Sequence, residues 1–141
     1  MYQTLILIGN LGKDPDLRYT PGGQPVTTMS LATNRRYKNT NREPVNETTW
    51  FRITVWGKQA EACNEFLHKG SKVLVEGRLI PNPETGGPRI WENNGRHGAS
   101  FEVTASIVRF LDGREDRESN LPEGGEFEPV GTSQTGEDIP F

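Results

Sequence analysis

At 141 residues and a formal net charge of −3, the chain has room for one domain plus an appendage. The charge is unevenly spread. Residues 1–112 hold 14 Lys+Arg against 11 Asp+Glu, a net of +3, while residues 113–141 hold 2 against 8, a net of −6. A mildly basic domain with an acidic tail suits a nucleic-acid partner for the first part and a solvated interaction segment for the second. Cys63 is the only cysteine, which excludes an intrachain disulfide and fits a reducing compartment. The aliphatic run Leu5 to Ile8 has no basic leader and is too short for a signal peptide or a membrane span. The expectation is a soluble, intracellular protein without a membrane partner.

In chain order, YQTLILIGN reads as a buried strand stopped by Gly9, Asn10 and Gly12, and DPDLRYTPGGQP carries the Pro and Gly-Gly chemistry of a turn. VTTMSLATN alternates, with Met29 and Leu31 on one face and Thr28, Ser30 and Asn34 on the other. The segment YKNTNREPVNE reads as a polar loop into the strand TTWFRITVWGK. There Phe51, Ile53 and Val55 share one side, while Trp50, Arg52, Thr54 and Trp56 share the other. After Gly57 the period becomes helical, with Ala62, Cys63, Phe66 and Leu67 as its apolar stripe and Lys69 and Gly70 as its stop. KVLVEGRLI is the next strand. A Gly/Pro/Asn-rich excursion over residues 81–99 separates it from the last, SFEVTASIVRFL. Five strands with one short helix between the third and fourth is the order of an all-β OB-fold, a five-stranded Greek-key barrel. Residues 1–112 form that domain, and 113–141 are too polar to bury a core and are expected to be disordered.

Two tryptophans around an arginine, on the face opposite the core residues, suit unpaired bases, whose flat faces are free to stack. The other reading buries both faces of the strand, with the tryptophans in a core or an interface. NRRYK sets Arg35, Arg36 and Lys38 around Tyr37, and PRIW sets Arg89 beside Trp91. Three aromatic-with-basic clusters are harder to assign to packing than one. Signals for catalysis are poor. Cys63 lies on the helix stripe as a small core residue, and His68 and His97 lack metal-ligand spacing. Asp14 and Asp16 flank Pro15 as turn residues, and GNLGK lacks the spacing of a phosphate loop. No enzyme, metal or cofactor is expected. At the end of the acidic tail, Glu137 and Asp138 precede Ile139, Pro140 and Phe141, an apolar tip with a free carboxylate that suits docking to a basic-rimmed pocket.

The segments LILIGNLGKDPDLRYTPGGQPV, SLATNRRY, TTWFRITVWGKQAE, FLHKGSKVLVEGRL and the terminal DIPF together resemble the bacterial-type single-stranded DNA-binding proteins. The resemblance implies an OB-fold that assembles as a homotetramer in the cytoplasm, on the nucleoid, and wraps single-stranded DNA without catalysis. It implies a tail tip that recruits replication, recombination and repair enzymes. By position it assigns stacking to Tyr37, Trp50, Trp56 and Trp91, and backbone contacts to Arg35, Arg52, Lys58 and Lys69, with Arg36 and Arg89 beside them. Tyr37 stands where many relatives carry Trp, Phe51 replaces a common polar residue, PNPETGGP lengthens the connection before Trp91, and the acidic run before Ile139 is short. Two other readings share the fold: an RNA binder of the cold-shock type, and a recruitment subunit with secondary DNA contact.

Overall fold

The computed structural model describes residues 1–112; the expected tail and its tip, Glu137 to Phe141, lie outside the described residues. The elements are β1 (Leu5–Leu11), β2 (Asp16–Tyr19), β3 (Pro25–Lys38), β4 (Pro44–Trp56), α1 (Lys58–Phe66), β5 (Lys72–Leu79), β6 (Arg89–Asn93) and β7 (Arg96–Phe110). Neighbouring strands follow the order β1-β5-β7-β4-β3, and β1 returns to pair with β3 at Asn10↔Ala32 and Leu11↔Leu31. That second pairing closes a five-stranded barrel with one helix, the OB-fold architecture. Among the described strands only β4 and β7 run parallel; β2 is added outside β3 and β6 outside β7.

Closure needs backbones to approach where a side chain would intervene. A Cβ on Gly9 would overlap the carbonyl of Ala32, and one on Gly77 would overlap that of Thr104, at the register shift between Glu76 and Gly77. Glycine lets β1 leave β5 for β3, and lets β5 bend over β7. The core is the inward parity of the barrel strands: Met29, Leu31, Ile53, Val55, Val73, Val75 and Val103 are all fully buried. β-branched side chains dominate because each strand packs one pleated face on this interior. The helix closes one end through Ala60, Cys63 and Leu67, and the buried Thr27 hydroxyl donates to the Ala60 carbonyl at 2.7 Å. Burial pushes the Cys63 thiol up to about 11, so it stays protonated at neutral pH and behaves as a small apolar side chain.

Five local expectations change. The buried residues of α1 are Ala60 and Cys63, with Leu67 joining them from just past its end; Phe66 is 63% exposed and tilts against Phe110, with ring centroids 6.3 Å apart. The helix also ends at Phe66, with Leu67 already extended, so Lys69 and Gly70 belong to the following turn. The first turn segment contains β2, paired from Asp16↔Thr28 to Tyr19↔Pro25 before the chain reverses at Gly23 (φ 83°). The polar loop 37–47 is mostly strand: β3 and β4 continue as a ribbon beyond the barrel and meet in a turn where Asn39 Oδ1 accepts from the amides of Asn41 and Glu43. The excursion 81–99 ends in a second arm, the β6–β7 hairpin, turned at Asn94 and Gly95 with φ of 51° and 77°. Asn-Gly favours this reversal because both central residues take positive φ.

Candidate nucleic-acid interface

The alternation along β4 survives folding intact. Ile53 and Val55 have no exposed surface and Phe51 packs at the core edge against Phe101, while Trp50 is 52% and Trp56 43% exposed. The tryptophans therefore belong to neither the core nor a buried second face of this chain. Across the ladder, Trp50, Arg52, Thr54 and Trp56 face Ala32, Ser30, Thr28 and Val26 on β3. These are small partners, so nothing bulky stands over the indoles from that strand.

Each of two tryptophans is seated on a glycine. A Cβ on Gly12 would run into the Trp50 ring, and one on Gly98 would run into the Trp91 ring from the opposing strand of the hairpin. One side of each indole is thus supported by backbone, and Trp91 keeps 50% of its surface open. The register links this hairpin to the barrel face: Trp91 is opposite Gly98, Arg89 opposite Ser100, and Arg52 opposite Glu102. Successive even positions of β7 share one side, so Trp91, Arg89, Arg52, Trp50 and Trp56 lie on one continuous surface. Glu102 ties it together, with Oε2 3.1 Å from Arg89 Nε and Oε1 4.0 Å from a terminal nitrogen of Arg52.

Beside Arg52 the surface sinks into a cleft of about 430 Å³ lined by Lys13, Asp16, Arg18, Thr28, Met29 and Ser30. Lys13 and Arg18 were not among the residues expected from sequence: Lys13 closes GNLGK, which lacks phosphate-loop spacing, and Arg18 lies in the segment that reads as turn chemistry. Only the pairing of β2 with β3 brings Arg18 beside this face. Arg18 Nε also donates to Asp16 Oδ2 at 3.2 Å, which offsets part of its charge.

The remaining expected residues are not all brought to this surface. In the β3–β4 ribbon, Arg35 pairs with Glu47 and Tyr37 with Val45, the parity of Met29 and Leu31; Arg36, opposite Asn46, keeps the parity of the tryptophans. Tyr37 and Arg35 therefore occupy the other side of the ribbon. They form their own cluster there, with the Arg35 guanidinium carbon 4.9 Å from the tyrosine ring centroid and its Nη1 3.7 Å from Glu47 Oε2. Lys58 opens α1 immediately after Trp56 and Gly57, with its side chain exposed. Lys69 is exposed in the turn after α1, where its amide donates to Asp14 Oδ1 at 2.8 Å. Asp14 and Asp16 thus have turn and ion-pair partners. Among the described residues no three His, Cys, Asp or Glu side chains converge as a metal site, and no helix is long and apolar enough to cross a membrane.

The sequence model of the single-strand binding protein family matches residues 2–111. The chain belongs to that family. It is 36% identical over 114 residues to a single-stranded DNA-binding protein of Wolinella succinogenes, covering 81% of this chain and 67% of that protein. A single-stranded DNA-binding protein of Xylella fastidiosa is 38% identical over 112 residues, and the match covers 65% of its length. Among solved structures, the Plasmodium falciparum protein in complex with single-stranded DNA superposes with a TM-score of 0.64 at 29% identity, covering 79% of this chain and 96% of that one. A deletion mutant of the Thermus aquaticus single-stranded DNA-binding protein gives a TM-score of 0.61 at 32% identity over 79% of this chain. This chain spans about half, 51%, of that structure.

Proposed function

We propose that the protein binds single-stranded DNA along the face of Trp91, Arg89, Arg52, Trp50 and Trp56, largely independently of sequence and without catalysis. The observation that carries this reading is the set of half-open indoles seated on backbone within a cationic surface. Every base offers a π face once it is unpaired, so stacking holds the strand without reading its edge, while Lys and Arg neutralise phosphates and make binding salt-dependent. Lys13 and Arg18 extend the cationic track through the cleft. Arg36, Lys58 and Lys69 provide outlying contacts, and Tyr37 with Arg35 provides a second stacking point for DNA that crosses the ribbon.

Assembly as a homotetramer is part of the same proposal. The outer side of β1 leaves Ile6 and Ile8 exposed, opposite Glu76 and Leu74 of β5, an apolar stripe suited to a second copy. Four copies would present several such faces for one strand to wrap. The tail tip, Glu137 to Phe141, would recruit replication, recombination and repair proteins to the wrapped DNA on the nucleoid, in the cytoplasm. Removing Ile139, Pro140 and Phe141 takes away no side-chain charge, so partner capture should be lost while DNA affinity stays unchanged.

The test is titration of the folded protein with a thymidine oligonucleotide while following tryptophan emission, beside the matched RNA. Strong quenching by DNA supports the reading. Absence of quenching removes it, and tighter binding of RNA replaces it with an RNA-binding role. Light scattering on the same samples decides the assembly, and a persistent monomer would end the wrapping scheme.

A further inference from the structure

An acid sits at the centre of the cationic face. Glu102 projects from β7 between β4 and β6, and its side chain is only 16% exposed. A carboxylate withdrawn this far from water needs cationic partners. Its partners here are two arginines of the proposed DNA track, Arg89 at 3.1 Å and Arg52 at 4.0 Å, whose own side chains remain 48% and 62% exposed. A guanidinium carries five N–H donors in a planar fork, so Glu102 claims one edge of Arg89 and leaves other donors unclaimed.

Two effects of this carboxylate oppose each other. It anchors a β4 side chain and a β6 side chain to the same point, which holds the hairpin arm against the barrel face. It also sets a negative charge where an incoming phosphate would otherwise meet two bare guanidinium groups. A glutamine in its place keeps the size of the side chain and a polar oxygen facing Arg89 but removes the charge, so much of the packing that holds the arm survives, whereas the competition does not.

We propose that Glu102 is a positioning residue that stands in for a phosphate in the DNA-free protein. It holds Arg52 and Arg89 across the face and lowers the number of cations that DNA phosphates can neutralise. Binding then depends less on salt, and more on the indoles, than the count of basic residues implies. The proposal rests on the single-stranded DNA reading above.

The test compares the full chain with Glu102→Gln and Glu102→Asp, using a thymidine oligonucleotide across about 50 to 200 mM salt. Each arginine released to phosphate steepens the slope of log affinity against log salt by about 0.7 on a single strand. Releasing one or both makes the gain of Glu102→Gln over wild type about three- to sevenfold larger at the low-salt end than at the high-salt end. Glu102→Asp keeps the charge and should keep the wild-type slope, which a merely structural role would not predict. A folded Glu102→Gln protein that binds with an unchanged slope overturns the proposal, as does an Asp variant that steepens as much as Gln. Should Glu102→Gln fail to fold, Arg89→Gln decides. A guanidinium already shared with Glu102 should lower the slope by clearly less than about 0.7, and a full loss of about 0.7 overturns the assignment. A wild-type protein that binds no oligonucleotide at any salt removes the DNA reading itself and this proposal with it.

Discussion

Within the barrel, β4 buries Ile53 and Val55 completely while Trp50 and Trp56 stay half open on the reverse side. At the ends of the β3–β4 ribbon and along β6, nearly every side chain is exposed on both sides of the strand. The two regions use the same backbone pairing, yet burial decides orientation in only one of them. A one-residue slip in the barrel would send Ile53 and Val55 to solvent and the indoles inward, so its register is strongly specified. In the arms no such penalty exists. Orientation there rests on turn chemistry and single contacts: the Asn94-Gly95 reversal, the seat of Trp91 on Gly98, the Glu102 link, and the Thr48 hydroxyl donating to Asn34 Oδ1 at 2.8 Å. Burial therefore fixes the orientation of the barrel strands and leaves that of the arms to these few local contacts.

The contrast is broken most directly in the core. Ile53→Ala should cost about 2–5 kcal/mol of stability through lost burial and a residual cavity. Ile90→Ala, on the exposed β6, should stay within about 0.5 kcal/mol. Urea denaturation of both variants measures the difference; similar losses would mean the hairpin shares the barrel's cooperative unit.

Next in size is the platform itself. Trp56→Ala should weaken binding of a thymidine oligonucleotide by about 1–3 kcal/mol, the worth of one stack, with the fold intact by circular dichroism. Unchanged affinity in a folded variant would make that indole structural.

Gly95→Ala tests the arm alone. At φ 77° an added Cβ is strained, and the expected local cost is about 1 kcal/mol. Hydrogen exchange should show that loss in the amides of β6 and the start of β7 and leave those of β3 and β5 unchanged.

The smallest effect at neutral pH, confined to the barrel, belongs to Cys63. Its thiol is pushed up from 9.0 to about 11 by burial, so the unfolded chain gives up this proton first as pH rises. Wild-type stability should therefore fall relative to Cys63→Ala between pH 9 and about 11, with no such drift below pH 9. Parallel thermal melts of the two proteins over that range read the difference, and a constant gap would show that the thiol titrates alike in both states.

Legibility in the sequence followed burial. Met29, Leu31, Ile53 and Val55 announce a half-buried sheet because apolar and polar residues alternate with the pleat, and the same alternation revealed Trp50, Arg52 and Trp56 as a surface set. The helix stripe was displaced toward Ala60 because Phe66 invites assignment to a core by its size, although its ring packs on Phe110 at the surface. β2, the ribbon and β6 were legible only as turns and loops, since strands exposed on both faces carry no apolar period to read.

By itself, the sequence determined the OB-fold element order, the inward and outward parity of β4, the family, and the residue types able to stack and to neutralise phosphate. These are local properties of spacing and composition. Tertiary structure decided which of those residues share a surface. It brought Arg89 and Trp91 onto the face of Trp50, set Tyr37 and Arg35 on the other side of the ribbon, added Lys13 and Arg18, and placed Glu102 between two arginines. The reason is that strand register and barrel closure join residues far apart in the chain, through pairings such as Arg52↔Glu102 and Asn10↔Ala32 that no local pattern encodes.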